Sequence, residues 1–562
     1  MNTNVKLIEN LLEEYLKANN LTTPNLTTPV MVEKPRQEGF GHLSTNLALL
    51  LAKKLKKAPN KIAEEIIAFI EKNNKSYFKK IEIAGAGFIN FTLADDQLHQ
   101  VINEVLKREE KYGYSAPKNF TYNLEIVSAN PTGFLHIGHA RNGAIGDSVA
   151  RILRAAGYHV QTEYYVNDAG NQINTLAVTV FVSYLNLLGK KTELPPDAYR
   201  GDMYADVAQY FVDNYQDKFI NLTFDKDYKI SDPEVHEMFR KKSVDLFLDI
   251  IKKQLKLFRV DIEYYSSEAA MYEGGKIDAT LAQYAKLGKT YEQDGALWLK
   301  TTDFGDDKDR VLVKSNGDLT YITPDLASHN ERLMRSKADK LVNFWGGDHH
   351  GYIVRMLAGL QLLGYKKDIL DIDMIQMVLL IKGGAEYKMS KRKGTAVWLI
   401  DLIEEIGVDP IRYMLASKSA QSHMDLDIGI LKEHSSKNPV YYAQYATARC
   451  NSVLKQAKMS KINITDVKTF ELLTSQKELD LLNEIDLFNR CIEGAAKLRQ
   501  PHLVCDYVQS VARQFHSYYN ESKVINLDNL ELTKQRLVFI KVIYQVLSNA
   551  FNLLGVNVIE QM

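Results

Sequence analysis

The sequence predicts an α/β protein: a parallel-sheet domain, preceded by a small α+β unit and followed by an all-α region. From Phe120 onward, strand-like runs alternate with helical stretches, the pattern of a parallel sheet. Residues 1–112 instead combine amphipathic helices with one paired-strand signal, and from residue 437 the periodicity is helical to the end. At 562 residues the chain exceeds what a single core supports, so several domains are expected.

In the first unit, "MNTNVKLIENLLEEYLKANN" places Leu and Ile at helical spacing among mixed charges and lacks the apolar stretch of a signal peptide. Leu47, Leu50, Leu51 and Leu55 form one helical stripe. Lys53, Lys54, Lys56 and Lys57 gather at that helix's end, where cations suit the dipole; a solvated helix terminus has the same appearance. "KIEIAGAGFINFTL" reads as two strands around a turn at Gly85–Gly87, and "YGYSAP" (112–117) as a linker. The sheet domain is expected over 113–385, with strands at 121–127, 160–166, 341–345 and 372–380, and a charged helical insertion at 182–290. Residues 386–436 connect it to a helical domain at 437–562, where tyrosines concentrate in "NPVYYAQYATARC".

Apolar content of 45% and charged content of 25% are ordinary for a globular protein. Formal net charge is zero, so any contact with nucleic acid must come from local patches. Cys450, Cys491 and Cys505 are scattered, without a CxxC pair, which fits a reducing compartment and offers no zinc site. No apolar run is long enough for a membrane span. A cytoplasmic protein is expected.

Two segments carry chemistry. In "EIVSANPTGFLHIGHARNG" (125–143) a strand turns over Asn-Pro-Thr-Gly into a long helix. That geometry presents free N–H groups and a positive dipole to a phosphate. Gly133-x4-Gly138 has Walker A spacing, but His139 and Ala140 stand where Lys and Ser/Thr are required, so a P-loop is excluded. Gly143-x-x-Gly146 lies inside the helix, too late for a dinucleotide turn. What remains is His136-Ile137-Gly138-His139. Gly138 admits close approach of an adenine ring, and both imidazoles can donate to phosphate; two polar residues capping a helix would read the same way. In "IKGGAEYKMSKRKGTAV" (381–397) glycines bracket a basic loop. Lys388 and Lys391 suit a departing pyrophosphate, although a K/R-rich segment is also a common surface patch.

The two segments, in this order across an α/β pattern, resemble the signatures of class I aminoacyl-tRNA synthetases: a HIGH tetrapeptide on a Rossmann-type fold, and a KMSKS loop. The first is complete here; the second has Arg392 in place of its last serine. Within the class the chain resembles the arginyl-tRNA synthetases over almost its whole length, through "SANPTGFLHIGHARN", "YRGD" (199–202), "GGDHHGY" (346–352), "NPVYYAQYATAR" (438–449) and the leading "GFGHLSTNLALLLAKKL". Phe134 replaces the proline common in that family.

The resemblance implies ATP-dependent attachment of arginine to tRNA(Arg) by an expected monomer. The first unit would hold the outer corner of the tRNA, and the helical domain its anticodon. Catalytic roles fall to His136, His139, Lys388 and Lys391. ATP would be bound by Ala129, Asn130, Pro131, Thr132, Gly133, Phe134, Leu135, Ile137, Gly138, Met389 and Ser390. Arginine would be bound by Glu125, Asn130, Tyr321, Asp325, Asp348 and His349, because a guanidinium pairs bidentately with carboxylates. Lys53, Lys54 and Lys57 become candidate tRNA phosphate contacts. Tyr441, Tyr442 and Tyr445 become a candidate stacking surface for unpaired bases, with helix-core packing as the alternative. Mg2+ would accompany ATP, held by phosphates and water, so no protein metal ligand is expected. A small cofactor adenylyltransferase would need no large helical tail, a plain RNA-binding module no pyrophosphate-handling lysines, and a cysteinyl enzyme would need zinc ligands.

Overall fold

The computed structural model describes residues 3–21, 32–35, 39–347, 350–387 and 397–561. At its centre are five parallel strands in the spatial order Leu370–Ile375, Lys340–Gly346, Thr121–Glu125, His159–Val166, Tyr264–Ser267. Counted along the chain, the order is 5-4-1-2-3. The sheet therefore grows one way from Thr121–Glu125 through the next two strands, and the other way through the last two. Where the order reverses, between Thr121–Glu125 and Lys340–Gly346, the strand ends part and leave a crevice. Leu124, Leu341, Val342 and Phe344 are buried in this sheet, as expected for strands covered on both faces.

The helix Ile137–Ala155 follows the first strand and packs close against its end. A Cβ built on Gly146 would lie 2.7 Å from Ile126 Cγ2, and one on Gly143 3.1 Å from Val260 Cγ2. These glycines thus serve helix-on-strand packing rather than a phosphate turn.

The structure corrects the sequence reading in three places. The insertion expected at 182–290 ends earlier, because Tyr264–Ser267 pairs with His159–Val166 as a strand of the central sheet. The strand expected at 372–380 is two: Leu370–Ile375 in the central sheet, and Val378–Lys382 in a second sheet with Met424–Asp427 and Ala385–Glu386. The break is pinned by Gln376, whose N–H donates to the Ala420 carbonyl and whose carbonyl accepts from Arg141 at 2.7 Å. "YGYSAP" is no slack linker, since Tyr112 is wholly buried and donates to the Ile485 carbonyl at 3.1 Å. A further antiparallel sheet, Thr290–Gln293, Ala296–Leu299 and Arg310–Val313, was not expected. Its first turn is Asp294-Gly295, both at positive φ, a recognised hairpin signal.

The leading unit is an antiparallel four-stranded sheet, Val32–Glu33, Leu43–Thr45, Phe88–Leu93 and Phe78–Ala84 in spatial order, packed with helices. Beyond Asn438 every regular element among the described residues is a helix, from Pro439–Met459 to Leu530–Leu553. The two end regions touch: Asn4 N donates to Asp486 Oδ2 at 2.8 Å. Arg412, wholly buried, donates to Asp147 Oδ2 (2.5 Å), Phe258 O (2.8 Å) and Leu554 O (3.0 Å), tying the connecting region to the Ile137–Ala155 helix, the insertion and the C-terminal helices.

Gly146→Ala should overpack the helix–strand contact, which typically costs about 1–3 kcal/mol, and lower the midpoint of thermal unfolding. Gly494→Ala is the control: a Cβ there meets no heavy atom within 4 Å, and a helix interior favours Ala over Gly by roughly 1 kcal/mol. Equal midpoints for the two variants would contradict the close-packing role of Gly146.

Candidate active site

The crevice at the strand reversal opens into a cleft of about 940 Å³. One wall carries Glu125, Asn130, His136 and His139; the other carries Asp325, Trp345 and Met377. Size and position suit a small-molecule site of an open parallel sheet.

His136 is the N-cap of the helix Ile137–Ala155, and the two histidines form a reciprocal capping box. His136 Nδ1 accepts from Gly138 N–H at 3.1 Å, and His139 Nδ1 accepts from His136 N–H at 3.3 Å. The rings stack, with centroids 3.7 Å apart. A Cβ on residue 138 would lie 3.0 Å from His136 Cε1, so Gly138 also makes room for this ring. The two histidines thus cap the helix, as one reading of the sequence had it, and line the cleft at the same time. An accepting Nδ1 places the proton of a neutral imidazole on Nε2, so both rings offer an Nε2–H donor. Burial lowers the pKa of His136 below 6.5. Burial, with His136 beside it, pushes His139 down to about 3. Both are uncharged donors at neutral pH.

The turn before them is strained and braced. Val127 and Ser128 adopt φ of 70° and 43°, costly for a β-branched residue and typical of functional sites. Tyr204 OH donates to Thr132 O at 2.7 Å, and Leu135 N–H to Gln254 Oε1 at 2.9 Å, so the helical insertion holds the turn. Ile137 N–H donates to Val397 O at 3.1 Å and Leu399 N–H to Leu135 O at 2.7 Å. The chain that leaves the basic loop is therefore stitched to the histidine turn.

Drawn from both sides of the cleft is a cluster of acids that the sequence only half disclosed. Glu125 accepts from Arg332 Nη1 at 3.0 Å, and burial raises its pKa despite that partner, with Glu163 adding to the rise. Asp325 accepts from the Tyr352 hydroxyl; burial raises its pKa, and repulsion from Glu125 adds to it. Glu268, not suspected from the sequence, is raised by burial and by repulsion from Asp325 and Asp168. The Tyr165 hydroxyl, which lines the cleft, is raised by burial and by all three of these acids. His329 is no counter-charge: burial and Arg332 push it down to about 4, its Nδ1 donates to Asp325 O at 2.8 Å, and its Nε2 accepts from Asn343 at 2.9 Å. Arg332 is shared with Glu163, 3.7 Å away. Partly buried carboxylates that line the cleft, Glu125 and Asp325, with Glu268 beside them at Tyr165, favour a cationic ligand.

Of the other expected site residues, Ile137 and Gly138 line the cleft. Tyr321 stands at its mouth, 93% exposed. Ala129, Pro131 and Leu135 are buried, and Phe134 packs edge-on against Trp398 at 6.2 Å. With Thr132 and Gly133 they build the turn beside the cleft and are not among its lining residues. Asp348, His349, Lys388, Met389, Ser390 and Lys391 lie outside the described residues. Lys53, Lys54 and Lys57 are exposed, and Lys57 pairs with Glu65. Tyr441 and Tyr445 stack at 6.1 Å, with His434 stacked on Tyr441 and the Arg449 guanidinium 4.4 Å over Tyr445. Tyr442 departs from this row and packs against the core and His516. Among the described residues, no group of three or more His, Cys, Asp or Glu is arranged to hold a metal ion, and no helix is long and apolar enough to cross a membrane.

Comparison with known proteins places these features in a family. Residues 6–93 match the family described as "Arginyl tRNA synthetase N terminal domain". Residues 101–438 match "tRNA synthetases class I (R), catalytic domain", and residues 443–562 "DALR anticodon binding domain". The arginine–tRNA ligase of Mesoplasma florum is 53% identical over 538 residues, covering 96% of this chain and 97% of its own. That of Bacillus subtilis is 43% identical over 560 residues, covering 99% of each chain. The fold matches Thermus thermophilus arginyl-tRNA synthetase with a TM-score of 0.77 at 20% identity, covering 100% of both chains.

The half-buried imidazoles give a signed prediction. Below pH 6.5 the unfolded chain takes up protons that the folded His136 and His139 refuse, so their contribution to stability is present above that pH and is lost as pH falls. In NMR titration the His139 ring should show no protonation between pH 8 and 5, and His136 a midpoint below 6.5. A midpoint at or above 6.5 for either ring would contradict the capping arrangement.

Proposed function

We infer the chemistry of the cleft from one premise: the chain belongs to the arginyl-tRNA synthetases, class I aminoacyl-tRNA synthetases. It attaches L-arginine to tRNA(Arg) at the expense of ATP. A carboxylate oxygen of arginine attacks the α-phosphate, giving arginyl-adenylate and releasing pyrophosphate. The 2′-hydroxyl of the terminal adenosine then takes the arginyl group, and AMP leaves.

In our assignment the ATP phosphates face the neutral His136 and His139, which donate through Nε2–H without the electrostatic burden of a fixed charge. The Asn130–Leu135 turn, Ile137 and Gly138 frame the nucleotide. Lys388 and Lys391, with Met389 and Ser390, belong to the loop whose flank at Val397 is bonded to the histidine turn; that bond supports a role for the two lysines at the departing pyrophosphate. ATP arrives with Mg2+ held by its phosphates and water, and no protein ligand is assigned to the ion.

The observation that carries the amino-acid assignment is the crowding of Glu125, Asp325 and Glu268 around Tyr165. A guanidinium supplies the missing positive charge and a planar set of donors for carboxylate oxygens. Asn130 and Tyr321, at the cleft edge, complete the pocket, with Asp348 and His349 as further candidates. For tRNA we propose Lys53, Lys54 and Lys57 at the outer corner, and the Tyr441–Tyr445 row, flanked by His434 and Arg449, as a stacking surface for anticodon bases. Tyr442 is a weaker candidate because it faces the core. We further propose that the enzyme works as a cytoplasmic monomer.

Incubation of total tRNA with each labelled amino acid in turn should give charging with arginine alone; equal charging by another amino acid would overturn the assignment. Asp325→Asn tests the pocket. Tyr352 already occupies Oδ2, and an amide at this position turns one acceptor into a donor facing guanidinium donors. Losing one partner of such a charge pair typically costs about 2–5 kcal/mol, roughly 30-fold to several thousand-fold in affinity. Because Asn keeps one acceptor, the arginine KM should rise by an amount at the lower end, with the ATP KM little changed. An unaltered arginine KM would remove Asp325 from the pocket.

A further inference from the structure

The parallel ladder between Thr121–Glu125 and Lys340–Gly346 ends with Glu125 opposite Asn343. Past that point the strands part, and Val127 N–H and Phe344 C=O face each other across the split without a strand-to-strand bond. Asn142 spans the gap. Its Oδ1 accepts from Val127 N–H at 2.8 Å, and its Nδ2 donates to Phe344 O at 2.8 Å. A primary amide offers the same donor and acceptor as a peptide group, so the side chain acts as one more rung of the ladder. Asn142 is buried, lines the cleft, and sits on the Ile137–Ala155 helix one turn beyond His139. The same bond holds Val127 in its left-handed conformation. Ser128, next in the chain, bonds both Glu125 and the Tyr165 N–H.

We propose that Asn142 is a positioning residue for arginine activation: its amide fixes the separation of the two strand ends past the ladder, and so sets the Val127–Ser128 turn that follows Glu125 against Phe344 and Trp345 on the far wall. This rests on the arginine–tRNA ligase reading of the cleft. It adds that, beyond the last paired residues of the ladder, the two strand ends are joined by one side-chain amide rather than by a backbone bond.

Asn142→Asp separates positioning from plain structural support. The introduced carboxylate still accepts from Val127 but opposes the Phe344 carbonyl; when protonated it donates again. Burial beside a carbonyl raises its pKa, so the proton returns as pH falls. The assay is ATP–pyrophosphate exchange with arginine in the presence of tRNA, run beside the wild type from pH 8 to pH 6. His139 on the same helix, Glu125 on the near strand, Tyr165 beyond it, and Asp325 and His329 on the facing helix are common to both proteins and cancel in the ratio. At pH 8 kcat should fall on the order of 10²-fold, the loss expected when a reacting group is misplaced by about 1 Å, with arginine and ATP KM changed less than kcat. The ratio to wild type should recover as pH falls, whereas Asn142→Ala, which lacks both groups, should show a depressed ratio independent of pH. A variant with kcat within twofold of wild type at pH 8, a ratio for Asn142→Asp as flat as that of Asn142→Ala, or a protein that stays unfolded at pH 6 would each overturn the proposal. Absence of arginine-dependent exchange in the wild type would instead defeat the reading on which it rests.

Discussion

Two neighbouring parallel strands whose continuations run to opposite sides of a sheet must part at their ends, and the site depends on how this protein manages that parting. The ladder between Thr121–Glu125 and Lys340–Gly346 stops at Glu125 and Asn343. Polar backbone groups that lose their partners in a buried place are expensive. The chain answers with a helix packed close enough, through Gly143 and Gly146, for Asn142 to take up two of them. The same closeness brings the N-terminus of that helix, with His136 and His139, to one lip of the crevice. The helix Ile322–Ser336, which carries Asp325 and Arg332, lines the other side.

Several features of the cleft are costly for folding and useful for binding. Glu125, Asp325 and Glu268 are held where burial and mutual repulsion raise their pKa values, and Arg332 compensates only part of that charge. Val127 and Ser128 sit in a region of backbone space that costs on the order of 1–3 kcal/mol for each residue. The two imidazoles are kept neutral by burial. In our assignment each is a local expense offset on binding, by a guanidinium for the acids and by phosphate oxygens for the Nε2–H donors. The surrounding structure tolerates them because the turn is braced from several sides, by Tyr204, Gln254, Asn142 and the Val397–Leu399 segment.

What the sequence disclosed was chemistry that is local in the chain. A strand, a tight turn, two histidines and a helix occupy consecutive residues, so their geometry could be read directly, down to the capping role of the two histidines, which the structure places at the cleft. The alternation of strands and helices gave the parallel sheet. Tyr264–Ser267 escaped because "YYSS" is short and polar, and its neighbours are helical; only its place at the sheet edge makes it a strand. Glu268 was invisible because nothing near it in the chain marks it, and its role comes from meeting Asp325 and Tyr165 in space. Arg332 lies seven residues after Asp325, two helical turns on, so a shared face was in principle readable. Its partners Asn123, Glu125 and Asn343 were not, since they come from two different strands. Tyr321 and Asp325 were reached through family resemblance rather than through any pattern in their own surroundings.

The central claim is that the acidic cluster is built for a guanidinium, and proton linkage tests it most directly. Arginine is titrated into the enzyme–tRNA complex by calorimetry at pH 5.5 and 7.5, each in two buffers of different protonation enthalpy. A bound cation lowers the raised carboxyl pKa values, while the guanidinium itself stays charged throughout. Binding should therefore release protons, and citrulline, which carries no side-chain charge, should release fewer. Proton uptake on arginine binding, or identical release with citrulline, would contradict the assignment of Glu125, Asp325 and Glu268 to the arginine side chain.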